Sequence, residues 1–232
     1  MNKIVIDGII GSWDVSAKAV VEALDSFDGD VIVHINSVGG SVLDGITIFN
    51  ALKAYQRGII TTQIVGVAAS IASYIALAGD KTQAYDNATF MIHNAWLPAT
   101  GDYRALRKAA DISEGLSSLL AKTYAQTTKL PFESIKYLMD EESFYYGEEI
   151  KTAGFVQGII DTQTPLSKTE ALAVSLEKMK ACHETLKSHT QPAHLEAVAA
   201  WLMLHQSASL KQKNQQQKRE MQIQTLEQRM QR

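Results

Sequence analysis

Val65-Gly66-Val67-Ala68-Ala69-Ser70-Ile71-Ala72-Ser73-Tyr74 is the stretch that decides how this chain folds. The apolar run before it, residues 59–65, predicts a buried strand. From Ser70 to Leu77 the spacing turns helical, and Gly79-Asp80 closes it. The joint passes through a glycine and two alanines into a serine, so another backbone or a bound molecule can come close. A serine at a tight strand-to-helix joint presents its Oγ where unpaired N–H groups and the helix dipole favour negative charge. Serine is also a favoured N-cap. This stretch alone fits a helix cap as well as it fits a nucleophile.

Upstream, residues 3–10 read as a strand and 16–25 as a helix capped by Ser16. Val31-Ile32-Val33-His34-Ile35 is β-branched and continuous, as in a strand buried on both faces of a parallel sheet. A loop with paired glycines follows, Asn36-Ser37-Val38-Gly39-Gly40-Ser41-Val42, then a helix over 43–56. Downstream, 82–85 and 89–93 read as short strands, the second ending in His93. Residues 96–102 form a loop with Pro98 and Gly101. A long helix is predicted over 103–127, with shorter ones over 132–139 and 148–153 and a last strand-like piece over 155–160. Strands alternating with helices at this spacing predict an α/β fold of repeated β-α units.

The chain has 232 residues, 46% hydrophobic and 20% charged, which is a globular composition. It has no apolar run of the ~18 residues that would span a membrane. Its start carries an early acid, Asp7, and too short an apolar part for a signal peptide. A single cysteine, Cys182, forms no internal disulfide, so a reducing cytoplasm is expected. No Cys/His spacing fits a zinc site, and neither metal nor cofactor is expected. Residues 162–232 hold ten basic and six acidic side chains, against twelve and nineteen in 1–161. An acidic body with a basic tail divides the chain into a domain over 1–161 and an extension over 162–232. The imbalance is too mild to indicate nucleic acid. The extension reads as two helices, over 167–187 and 194–210, and a Gln-rich end over 211–232 that fits either a weak amphipathic or coiled-coil helix or, as favoured for its last ~20 residues, a segment disordered until a partner binds.

A serine nucleophile needs a base, and the base needs an orienting acceptor. His34 sits inside an apolar strand and reads as structural. His93 ends a strand, where sites in such sheets gather. Asp140, Glu141 and Glu142 offer carboxylates, and Gly39-Gly40 offers backbone N–H groups of the kind an oxyanion hole needs. Ser73, inside the helix, reads as packing.

Asn36-Ser37-Val38-Gly39-Gly40, Ala68-Ala69-Ser70 and Met91-Ile92-His93-Asn94 resemble, in order and spacing, the motifs of the Clp-type (ClpP-like) serine peptidases. Met139-Asp140-Glu141-Glu142-Ser143-Phe144 through Gly154-Phe155-Val156 resembles that family's end. The short N-terminus, the Trp96 loop and the charged extension resemble its bacteriophage branch, the head maturation (prohead) proteases. The resemblance implies a ClpP/crotonase-like fold, and a serine endopeptidase acting on capsid or scaffold protein in the host cytoplasm or procapsid. It implies Ser70 as nucleophile, His93 as base and Glu142 as third triad acid, with Asp140 in reserve. Gly40 and Ile71 match the backbone oxyanion donors. The 103–127 helix resembles the family's handle helix, which pairs rings of subunits, so a homo-oligomer of stacked rings is implied; an ordinary core-facing helix is the other reading. The family has proline where Val38 stands. The chain also begins almost at its first strand, without the segment that forms axial loops for an unfoldase in housekeeping members, which counts against such a partner. Two other functions fit the same fold: a general peptidase working with an unfoldase, and a non-catalytic assembly or scaffolding protein.

Overall fold

The computed structural model describes residues 2–11 and 15–162. The expected helices of the extension lie outside the described residues. Seven strands form one sheet: β1 (Asn2–Ile10), β2 (Val31–Gly40), β3 (Ile60–Ala69), β4 (Lys81–Tyr85), β5 (Thr89–Ile92), β6 (Ser143–Tyr146) and β7 (Gly158–Ile160). The order β1-β2-β3-β4-β7 is parallel throughout. The helices are α1 (Ala17–Ser26), α2 (Val42–Ala54), α3 (Ile71–Ala76), α4 (Tyr103–Thr128), α5 (Phe132–Asp140) and α6 (Glu148–Thr152). This is the α/β architecture that the alternating pattern predicts.

The β-branched runs bury one face completely, while Ile32, His34, Thr61, Gln63 and Val65 on the other face are only partly buried, so the expected burial of both faces is not met. Val31, Val33, Ile35, Ile60 and Ile64 are fully buried in the core. Ser16 caps α1 by accepting from the Ala19 N–H at 3.1 Å, and Ser41 caps α2 by accepting from Asp44. Both β2 and β3 run further than their apolar runs do, β2 through the glycine pair and β3 through Ala69. The extension works because Asn36 repairs the ladder where the β2–β3 register shifts. Its Oδ1 accepts from the Val67 N–H at 3.3 Å, and its Nδ2 donates to Asp7 at 2.6 Å. Only glycine fits at position 66, where a Cβ would stand 2.3 Å from that Oδ1.

β3 has two partners on one edge. Its first half, Thr61–Ile64, pairs with β4, and its second half, Val67–Ala69, pairs with β5. β5 in turn pairs antiparallel with β6. β6 was not expected, since the acidic and aromatic stretch 140–146 reads as a connection.

The core-facing reading of α4 holds for its second half only. Ser117, Leu120, Ala121 and Tyr124 in its second half are buried, so that half faces the core. Its first half is exposed, including Tyr103, Leu106 and Ile112.

Candidate active site

The sheet delivers the chemistry-bearing residues at the C-terminal ends of β2, β3 and β5, as parallel sheets do. Ser70 sits between β3 and α3 with φ +55° and ψ −131°, a conformation that a side chain rarely adopts. Such a residue stores about 1–3 kcal/mol of strain and needs its surroundings to hold it. Here the Ser70 N–H donates to the Met91 carbonyl at 3.0 Å, tying the joint to β5. The Ser70 side chain makes no capping hydrogen bond to α3. Its Oγ lies instead 2.7 Å from His93 Nε2. Both residues are half-buried, so they are reachable from solvent. The cap reading of Ser70 therefore gives way: the serine occupies the cap position while its hydroxyl faces the imidazole.

Small neighbours are required here. A Cβ on Gly39 would stand 2.7 Å from Ser70 Cβ and 3.2 Å from its Oγ. Gly39 has φ +105°, again a glycine conformation. Gly40, expected as the oxyanion donor, has its Cα against the Ile10 backbone, where a Cβ would stand 2.1 Å from the carbonyl oxygen. The Gly39 N–H is already given to Ser37 Oγ at 3.1 Å. Ile71 is the first residue of α3, a position whose N–H has no partner within its own helix.

The β5–β6 ladder brings the acidic cluster to the histidine. Its last pair is Ile92↔Ser143, and one step further the antiparallel register sets His93 opposite Glu142. Glu142 is held in an unusual conformation, with φ +48°, and its Oε2 is shielded from solvent. Asp140 points elsewhere: its Oδ1 accepts from Asn94 Nδ2 at 2.7 Å, on the exposed side. That bond ties the residue after His93 to the end of α5.

His34 lies mid-strand in β2, across from Val5 and Gln63, away from these ends. Burial, then the charge of Lys3, lowers its pKa. Ser73 is fully buried, as its packing role requires, but its hydroxyl is engaged as well, with Tyr124 at 2.7 Å. Reading by sequence missed three contributors: Gly39 as the residue against the serine, Asn36 as the ladder repair and Tyr124 beneath α3. The glycine pair was a visible signal for the first; nothing local marks the other two.

Residues 12–163 match the family described as Clp protease. The ATP-dependent Clp protease proteolytic subunit of Pleurastrum terricola is 33% identical over 129 residues, which is 55% of this chain and 65% of that protein. The chain thus aligns with less than two thirds of that relative's length. The family match covers more than half of the chain, and the elbow serine, the paired glycines and the strand-end histidine all lie inside it. On these grounds, the chain belongs to the Clp protease family.

Proposed function

We propose that this chain is a serine endopeptidase whose triad is Ser70, His93 and Glu142. The observation that carries the reading is the 2.7 Å contact between Ser70 Oγ and His93 Nε2 at a strained strand-to-helix elbow. Hydroxyl and imidazole stand within the reach that proton transfer needs. Ser70 Oγ attacks a peptide carbonyl while His93 takes its proton. The same imidazole then protonates the leaving amine, and water repeats the cycle on the acyl-enzyme. Glu142, opposite His93 in the ladder, holds the imidazole and balances its charge. Gly40 and Ile71 give their N–H groups to the oxyanion. The commitment of the Gly39 N–H to Ser37 favours Gly40 as the loop's donor. Losing one such donor costs about 3–4 kcal/mol in the barrier.

Ser70→Ala tests the reading with a fluorophosphonate probe. The intact chain labels at Ser70, and the variant folds but neither labels nor cleaves. Labelling undiminished in Ser70→Ala would refute the assignment.

The substrate proposed is a capsid or scaffold protein, processed during phage head maturation. A glutamate at the third triad position, the exposed Trp96 loop and the basic extension support that branch. Assembly into stacked rings is proposed with it, supported by the apolar side chains exposed on the first half of α4. A stable monomer at micromolar concentration would count against rings. The name of the Pleurastrum terricola relative, an ATP-dependent subunit, favours a second reading: a general peptidase fed by an unfoldase. Cleavage of a folded scaffold protein without any ATPase separates the first from the second.

A further inference from the structure

Beneath the elbow runs a buried polar chain that the triad does not use. Ser73 Oγ lies 2.6 Å from the Ser70 carbonyl oxygen and 2.7 Å from the Tyr124 hydroxyl. Ser73 and Tyr124 are 0% and 1% exposed, so water does not stand in for either bond. The directions follow from the donor inventory. A carbonyl only accepts, so the one Ser73 hydroxyl proton goes to the Ser70 oxygen. Tyr124 must then donate to Ser73 Oγ. The Ser73 backbone N–H donates to the same Ser70 oxygen at 3.0 Å, so that carbonyl is held twice.

The Ser70 carbonyl and the Ile71 N–H belong to one peptide unit. The unit is planar and trans, so its N–H points opposite to its C=O. Fixing the carbonyl inside the core therefore fixes where the Ile71 N–H points. Ordered chains of hydroxyls also polarise the groups they end on, which strengthens the N–H at the far side of the amide.

We propose that Ser73 and Tyr124 are positioning residues for the oxyanion hole. The relay from Tyr124 through Ser73 to the Ser70 carbonyl holds the 70–71 peptide plane and aims the Ile71 N–H at the developing oxyanion. The inference rests on the serine peptidase reading above. It also assigns a task to α4: its buried half carries Tyr124, so the helix whose Ser113 and Ser117 hold the Ala95 backbone, two residues after His93, also reaches the nucleophile's own carbonyl. Burial raises the Tyr124 pKa, which keeps the hydroxyl protonated as the donor the relay requires.

The test compares the full-length chain with Tyr124→Phe, Ser73→Ala and the double variant. Each is measured for kcat and KM on a peptide substrate and for affinity toward a peptide aldehyde, whose adduct places an oxyanion in the hole. Removing a whole donor costs roughly 10²–10³-fold in kcat, so misaiming one should cost less, about tenfold in Ser73→Ala. Tyr124→Phe loses about threefold, since only the far bond of the relay goes. Aldehyde affinity falls by the same factors while KM stays put. The double variant is no slower than Ser73→Ala, because Tyr124 acts only through Ser73. A purely structural role predicts a lower thermal midpoint with kcat and aldehyde affinity unchanged, and that result overturns the proposal. Independent, additive losses overturn it too. Should Ser73→Ala fail to fold, Tyr124→Phe alone decides, since it deletes one oxygen and leaves the ring packing in place. A wild-type chain unreactive to fluorophosphonate removes the peptidase reading and this inference with it. A reactive wild type matched by equally reactive variants removes the inference alone.

Discussion

Replacing Glu142 by Gln and, separately, Asp140 by Asn asks which carboxylate serves His93. The geometry predicts very different outcomes. Glu142 stands opposite His93 at the end of the β5–β6 ladder, with Oε2 shielded from solvent. An amide there keeps the shape but not the charge that stabilises an imidazolium, and it presents a donor where an acceptor is needed. In a serine triad that exchange lowers kcat by about 10⁴, or about 5 kcal/mol in the barrier. Asp140 instead accepts one exposed hydrogen bond, from Asn94 at 2.7 Å. Losing such a bond costs about 0.5–1.5 kcal/mol of stability. Any effect on rate is indirect, through the residue after His93, and should stay within about tenfold. The assay is the second-order rate of fluorophosphonate labelling, followed beside kcat on a fluorogenic peptide, with unfolding midpoints as the control. A folded Glu142→Gln that keeps most of its rate, with an inactive Asp140→Asn, would refute the ladder argument and move the acid to position 140.

Gly39→Ala should abolish labelling. Its methyl would meet Ser70 Cβ at 2.7 Å, and φ +105° adds about 1–2 kcal/mol of backbone strain, readable in the denaturation midpoint. Asn36→Ala leaves the Val67 N–H and Asp7 without their partner, which costs about 1–3 kcal/mol. Thermal unfolding should register it at about 2–4 °C for each kcal/mol. His34 makes stability depend on pH. Its folded pKa is lowered, chiefly by burial, from 6.5, so below 6.5 the unfolded chain binds more protons than the folded one. Stability is therefore complete above that value and declines as pH falls towards the lowered pKa. Denaturation midpoints at about pH 5.5 and 7.5 should differ more in the wild type than in His34→Gln.

Local pattern carried most of the framework. β-branched runs mark the parallel strands, and Val31–Ile35 and Ile59–Val65 read that way unaided, although only one face of each is fully buried. The serine and the strand-end histidine were legible for a related reason: strand ends in parallel sheets are where side chains meet. What stayed hidden depends on contacts far apart in sequence. β6 is four residues, Ser143-Phe144-Tyr145-Tyr146, and only its aromatic content hints at a strand. The continuation of β3 past Gly66 rests on Asn36, which lies 31 positions before the Val67 N–H it accepts from. Ser73 gave no sign of its partner, because Tyr124 lies 51 positions away. The choice between Asp140 and Glu142 needs a register, and a register belongs to two strands at once.

The antiparallel pairing of β5 with β6 has an evolutionary corollary. The proposed base and acid are clamped by the same short ladder, while α4 and α5 form an excursion that leaves it at His93 and returns at Glu142. Insertions or deletions inside the exposed first half of α4 change the length of that excursion without moving its hinge points. A slip of the ladder by one residue, by contrast, would turn one side chain to the opposite face of the sheet. Variation in this lineage should therefore accumulate as changes of length between the two residues, with the four-rung clasp itself kept in step.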